Sequence, residues 1–566
     1  MSIATEISRL QQAKKSINIA LSSKGIHIPS GSTIDEYAAF IDPITSGETI
    51  TYLDNPQGYL SFKFVSNGTV KWQNKKGDIQ YSKNGGSTWT SFNGTTVSVT
   101  TGDEIWFKGS LTGGCGESSD SNSSKFYTGG HFFVSGNIQS LCSFNNALVE
   151  YHFAYLFSNC SLLNVDENNK LLLPATTLAN NCYYQMFYGC KSLTTAPELP
   201  ATTLANNCYY GMFYNCTSLT TAPELPATTL ASNCYDSMFY GCTSLTTAPS
   251  VLPATTLANY CYGSMFYNCI SLTTAPELLA TTLSDYCCYN MFVNCASLTT
   301  APELPATTLA SNCYQNMFGG CTSLMAAPEL PATTLAERCY VSMFNNCISL
   351  MTTPELPATT LVDYCYMNMF GGCTSLTTAP ELPATTLASN CYDSMFYGCT
   401  SLTTAPELSA TTLANGCYSG MFRECKSLTT APELPATTLA SNCYNNMFAN
   451  CISLTTAPEL PATSLAEMCY FNMFKGCTSL TTAPELPATT LANNCYRSMF
   501  NKCTSLNYIK AMFTTTPSGT YMGGWVNGVA SSGTFVMNSA ASWNTGTTAC
   551  GTSTYPCNWT VQTASS

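Results

Sequence analysis

The side chains of this 566-residue sequence that could do chemistry are 32 cysteines, 32 acidic residues and only three histidines. Thiolates could close disulfides or hold zinc, and clustered carboxylates could hold calcium. Their spacing argues against each in turn. Twenty-six of the cysteines fall in pairs eight residues apart, such as Cys208 and Cys216, and no C-x-x-C occurs. A structural zinc site needs four ligands converging at short spacing, and His27, His131 and His152 are scattered. The paired cysteines share the phase of Leu204, Met212 and Leu219. They therefore read as small buried hydrophobes, reduced and in two ladders. Cys550 and Cys557, outside this pattern, are the best candidates for a disulfide. Eleven glutamates occupy one repeated position: Glu198, Glu224, Glu277, Glu303, Glu329, Glu355, Glu381, Glu407, Glu433, Glu459 and Glu485. In stacked coils they would stand roughly 5 Å apart and must face water or cations. No flanking Asp or Asn triplet supports calcium, so a solvated edge is expected. No nucleophile elbow or phosphate loop is found, and the sequence predicts no catalytic residue, no metal and no cofactor.

What positions these residues is a repeat. One copy reads L-P-A-T-T-L-A-N-N-C-Y-Y-G-M-F-Y-N-C-T-S-L-T-T-A-P-E, Leu199 to Glu224, and thirteen copies start between Leu173 and Leu486. A fixed period of 20–50 residues signals a solenoid of stacked coils. Leu204, Cys208, Met212 and Cys216 lie four apart, which predicts a short helix or helical turn. Leu219 to Pro226 should be extended, because each proline biases its predecessor away from helix. Two prolines per coil limit ladder hydrogen bonds, so strands should be short.

The flanks differ. Ile3, Ile7, Leu10, Lys14, Ile17 and Leu21 are spaced as a heptad seam, giving a helical segment over 1–46 that either caps the next domain or mediates docking and oligomerisation. The seam permits a trimer without requiring one. Residues 47–146 read as a small all-β sandwich, with strands at Tyr59–Val65, Thr69–Trp72, Ile79–Ser82, Thr88–Phe92 and Glu104–Lys108. Asn67-Gly68, Asn84-Gly85-Gly86 and Asn93-Gly94 suggest hairpins between them. Ser82-x-Asn84-x-Gly86-x-x-Trp89 resembles the Asp-box hairpin of sialidase propellers, a motif that shapes a turn. Residues 147–508 hold the solenoid, opened by a degenerate coil with His152 at the first cysteine position, and 509–566 should form a C-terminal cap.

The M-F-x-x-C-x-S-L-T-T core resembles the BspA-like leucine-rich repeats of bacterial surface antigens across residues 150–510. Leu279 and Ser409 replace the unit proline, and Cys287-Cys288 is doubled. The resemblance implies a mixed α/β solenoid, a right-handed coil of 26-residue units, and an adhesive role. The start, M-S-I-A-T-E-I-S-R-L-Q-Q-A-K with I-P-S-G-S-T-I-D-E-Y-A-A-F-I, is similar to the N-termini of phage tail and fibre proteins. It implies a virion-surface protein made in the host cytoplasm and joined to other virion proteins through its N-terminus. The absence of a signal-peptide pattern and of a long apolar run agrees with that expectation and with no membrane insertion. A bacterial adhesin and a decoration protein of the particle are the alternatives. Net charge of −12 argues against nucleic acid.

Between coils, six positions vary: Asn206-Asn207, Tyr210-Gly211 and Tyr214-Asn215 in one, Glu337-Arg338, Val341-Ser342 and Asn345-Asn346 in another. Their Tyr, Asn, Ser and Gly resemble paratope chemistry. The stripe could bind a host surface protein or glycan through Tyr184, Tyr188, Tyr210, Tyr214, Tyr240, Tyr267, Asn290, Asn316, Asn446 and Arg497. Drift at exposed positions of a duplicated unit would give the same pattern.

Overall fold

The computed structural model describes residues 52–73, 76–145, 147–166, 168–541, 551 and 554–564. The heptad residues Ile3, Ile7, Leu10, Ile17 and Leu21 lie outside them. The chain divides into two compact units, Met1–Leu279 and Ala280–Ser566.

The first unit opens with strands β1 (Leu60–Phe64), β2 (Gly68–Gln73), β3 (Ile79–Ser82), β4 (Thr90–Ser91), β5 (Thr96–Val99), β6 (Glu104–Gly109), β7 (Lys125–Thr128) and β8 (Phe132–Asn137). They form two sheets, β5-β2-β7 and β8-β1-β6-β3-β4. Only the β3–β4 hairpin matches the expected turns. Asn67-Gly68 passes the chain from one sheet to the other, and β5 pairs with β2, not β4. The Asp-box-like turn does what its resemblance implies: Ser82 Oγ accepts from the Asn84 and Gly86 amides, and Asn84 Oδ1 accepts from Thr88.

Strands β9 (Leu163–Val165) and β10 (Leu171–Leu172), both in the degenerate coil, pair in parallel with β8. Phe126 of β7 stacks on Phe157 of that coil, at 5.7 Å and 14°. The aromatic core of the sandwich thus runs on into a phenylalanine ladder, Phe157–Phe187–Phe213–Phe239–Phe266, with centroids 5.3–5.6 Å apart. The sandwich covers the open end of the coils, where an apolar face would otherwise meet water.

The expected helical segment is not helical. In the second coil the amides of Tyr210, Met212, Tyr214 and Cys216 donate to the carbonyl three residues back, at 3.0–3.2 Å. The intervening amides of Asn207, Tyr209, Gly211, Phe213 and Asn215 donate to the next coil, at 2.7–3.0 Å. Asn207, Gly211 and Asn215 have φ near +55°. An α-helix bonds four residues back with every residue right-handed, so a left-handed residue at every fourth position excludes one. The segment is a string of tight turns in which alternate amides bond within and between coils. Among the described residues helix is confined to a 3-10 turn, Ile138–Leu141, and α1, Gly519–Met522.

The extended side is bound by single parallel bridges, Thr195↔Thr221↔Thr247↔Thr274 and Thr177↔Thr203↔Thr229. Prolines interrupt longer pairing. The repeat forms longer strands only at β11 (Val251–Leu252) and β12 (Glu277–Leu278).

The second unit repeats this plan. Its cap adds β13 (Tyr508–Ala511), β14 (Thr534–Asn538) and β15 (Thr560–Ala564) as parallel rungs, and Trp525 closes the tyrosine and phenylalanine ladders against Tyr496 and Phe500. Cys288 takes the buried place of the ladder tyrosine, which moves Tyr289 to the half-buried position beside it.

The repeat cysteines are buried thiols, and the second of most coils donates to the phenylalanine carbonyl of the coil before, as Cys216 Sγ does to Phe187 O at 3.1 Å. Burial pushes the thiols of Cys208 and Cys451 to about 12. A rise from 9 to about 12 lowers the thiolate fraction by about a thousandfold, so the folded chain should resist iodoacetamide and react only on unfolding. Mass spectrometry of alkylated native protein checks this; rapid labelling of Cys208 would contradict the buried ladder. Cys557 is disulfide-bonded, and Cys550 lies outside the described residues.

Candidate binding surface

The six variable positions split into two kinds. In each coil, the residue before the first cysteine, the residue before methionine and the residue before the second cysteine are left-handed. Asn, Gly and Ser dominate there because the backbone favours them. Asn290, Asn316 and Asn446 belong to this set, with φ of 55°, 55° and 56°. Their side chains serve neighbouring ones: Asn316 Nδ2 donates to Asn290 Oδ1 at 3.0 Å, and Asn446 donates to Asn445.

At the third of these positions Asn and Gly often alternate between coils for a packing reason. Asn215 folds over Gly241, where an added Cβ would overlap its Oδ1, and Gly241 has φ +72°. Asn294 and Gly320 repeat the arrangement. Gly241→Ala should cost about 1–2 kcal/mol, measured by urea unfolding, whereas Asn215→Gly should stay within a few tenths. Equal costs would show that the left-handed step is not the constraint.

The second kind, two before the first cysteine, right after the ladder tyrosine and right after the ladder phenylalanine, is free of that constraint. Here the first unit places the six predicted tyrosines in two columns. Tyr184 stacks on Tyr210 at 4.8 Å and 3°. Tyr188, Tyr214, Tyr240 and Tyr267 stack at 5.3, 4.4 and 4.5 Å, with planes within 24°. All six are half-buried. Successive rings cover one another's faces, so along the columns edges and hydroxyls are what they offer. Burial, then the Tyr240 ring, pushes the Tyr214 phenol up to about 12, so it stays a protonated donor. Asp236 continues the shorter column after Tyr210. Burial raises its carboxyl to about 6, against the Ser237 hydroxyl, which donates to it at 2.6 Å.

The equivalent columns of the second unit are mixed. Arg497 is exposed there and donates to Asn494 Oδ1 at 3.3 Å. Arg423 lies 5.3 Å over Tyr397. One feature of this unit escaped the sequence reading: Met325, Ile348 and Met351, on positions usually held by threonine, are 51, 44 and 53% exposed. Their departure from the repeat was the available signal.

The Glu row is exposed, with Lys170 on Glu198 at 2.6 Å and Lys510 on Glu485 at 2.9 Å. Among the described residues no group of three His, Cys, Asp or Glu gathers as a metal site.

His152 is buried beneath the sandwich, with Nδ1 accepting from the Val149 amide at 3.1 Å. Burial lowers its pKa from 6.5 to about 4. A folded pKa below the unfolded one means that the unfolded chain binds the proton first. Stability is therefore lost as pH falls from about 6.5, and the loss levels off near 4 at about 3 kcal/mol. Asp236, shifted upward, works in the opposite direction over a similar range. The test is the difference between the parent and His152→Cys in unfolding across pH 4–7. The parent should lose this increment and the variant should not; identical profiles would contradict it.

The chain matches the family described as BspA type leucine rich repeat region, in six copies spanning residues 154–299, 281–420 and 393–522. A leucine-rich repeat protein from Bacteroides ovatus is similar at 19% identity and TM-score 0.39, over 60% of this chain and 83% of that one. The TLR13–ssRNA13 complex is similar at 14% identity and TM-score 0.23, over 66% and 49%. No curated protein matches. With thirteen coils of one pattern and family matches over most of its length, this chain belongs to the BspA-type leucine-rich-repeat family, whose members are surface and adhesion proteins.

Proposed function

We propose that this chain is a non-enzymatic recognition protein, carried on a phage particle as a tail fibre or other surface appendage, that contacts the host through its solenoid. The carrying observation is the pair of tyrosine columns on positions the backbone leaves free. Tyrosine gives rigid amphipathic contact area at low entropic cost, and the family is adhesive. The phage assignment rests on the N-terminal similarity and would join residues 1–46 to other virion proteins, as a homo-oligomer, leaving the coils outward.

The family resemblance by itself also favours a bacterial surface adhesin. Density-gradient purification of particles, with peptide mass spectrometry of particles and host envelopes, separates the two. Peptides from 1–566 in stoichiometric amounts with particles support the virion reading. Peptides confined to envelopes overturn it.

A further inference from the structure

The tyrosine columns have a direction and a period, and both bear on what they could hold. The four-ring column advances one ring per coil at 5.3, 4.4 and 4.5 Å, and the two-ring column beside it at 4.8 Å. An extended peptide laid along them would present same-face side chains about 6.7 Å apart, out of step with the rings. A docked amphipathic helix needs an apolar groove. Between the end rings this surface instead shows phenol edges, because the faces of successive rings cover one another. On these two columns, over the four coils from Leu173, the residues are Tyr184, Tyr210, Asp236, Gly263 and the four-tyrosine column. None is basic, and the one charge is a carboxylate, so a phosphate-rich or sulfated polymer is disfavoured. What remains is a chain of hydroxyl-bearing units whose repeat is close to one coil. A linear polysaccharide has that repeat, and its hydroxyls both donate and accept, as phenols do.

Building on the proposed role of these columns as the recognition surface, we infer that they receive one linear, uncharged polysaccharide, laid across the coils with about one sugar per tyrosine of the Tyr188–Tyr267 column. The phenol hydroxyls bond the sugar hydroxyls, and the ring edges contact the sugar C–H faces. The stacked rings are already ordered, so little conformational entropy is lost on binding.

The probe is a length series of neutral 1,4-linked glucan oligosaccharides, one to eight units, together with the neutral polysaccharide released from the host. Binding to the full chain is followed by calorimetry. Affinity should rise by roughly threefold to tenfold per sugar, the worth of one net hydrogen bond, and level off near four sugars. Tyr214→Phe with Tyr240→Phe keeps the stacked rings and removes hydroxyls, so a weakening of tenfold or more reports contact and not unfolding. Affinity for the released polysaccharide that is absent, or unchanged in the Phe pair, overturns the inference. A second measurement separates it from the recognition role. Host cells are treated with periodate, which opens sugar diols, or with protease. Loss of attachment after periodate alone supports the polysaccharide. Loss after protease alone, with Tyr→Ala variants still defective, overturns the polysaccharide and keeps the recognition surface. Tyr→Ala variants that attach normally overturn both.

Discussion

Phe239→Ala should cost the first unit about 3–5 kcal/mol, the largest stability loss expected from a single substitution in the coils. The ring is fully buried and stacked on both sides, on Phe213 at 5.6 Å and on Phe266 at 5.5 Å. Removing it leaves a cavity and takes one member out of two aromatic contacts, each worth about 0.5–1.5 kcal/mol beyond area burial. Stacked turns cannot close the gap, because the Phe239 backbone is held by coil-to-coil bonds such as Phe239 N–H to Met265 O at 2.9 Å. In a solenoid, stability is close to a sum of coil and interface terms, so the damage should be local. Hydrogen exchange should show the coils from Leu199 to Leu252 opening first, while the sandwich core around Phe62 and Phe107 stays protected. A cost below about 1 kcal/mol, or uniform loss of protection, would show that the phenylalanine ladder does not carry the stack.

Much of this architecture was legible in the repeat. The period placed every coil, and the phase of Cys208, Met212, Cys216 and Leu219 identified the buried row. Prolines near Leu225 correctly limited the strands. The turn segment differs from the helical expectation because a spacing of four is not helical periodicity. An α-helix has 3.6 residues per turn, so an apolar row held strictly at intervals of four drifts around it. A second signal stood beside it: Asn207, Gly211 and Asn215 are themselves four apart and are residue types that tolerate positive φ. Read together they describe repeated turns. The binding stripe is blurred in the sequence for the same reason, since half of its variability answers to backbone conformation. Sandwich connectivity was hidden for another reason. Asn-Gly marks a reversal, yet the reversal at Asn67-Gly68 changes sheets, and pairing partners depend on long-range packing of Phe62, Phe107 and Phe126. The six tyrosines were named from sequence, but their stacking, which turns their edges outward, depends on the coil spacing.

Replacing Tyr188, Tyr214, Tyr240 and Tyr267 together by alanine should produce the largest functional loss. Truncating a tyrosine at the centre of an interface costs about 1–2 kcal/mol, so four at about one kcal/mol each should lower attachment by close to a thousandfold. The rings are half-buried and add to the stack, so some stability falls too, and the comparison must be made on folded protein. Four alanines on the mixed column of the second unit, at Val293, Asn345, Arg423 and Lys475, provide a control of equal extent. The decisive measurement is adsorption of purified full-length chain to host cells, parent against both quadruple variants, with folding verified by unfolding curves. Adsorption should be abolished by the tyrosine set and retained by the control set. Full adsorption by a folded tyrosine variant would contradict it and move recognition elsewhere on the chain.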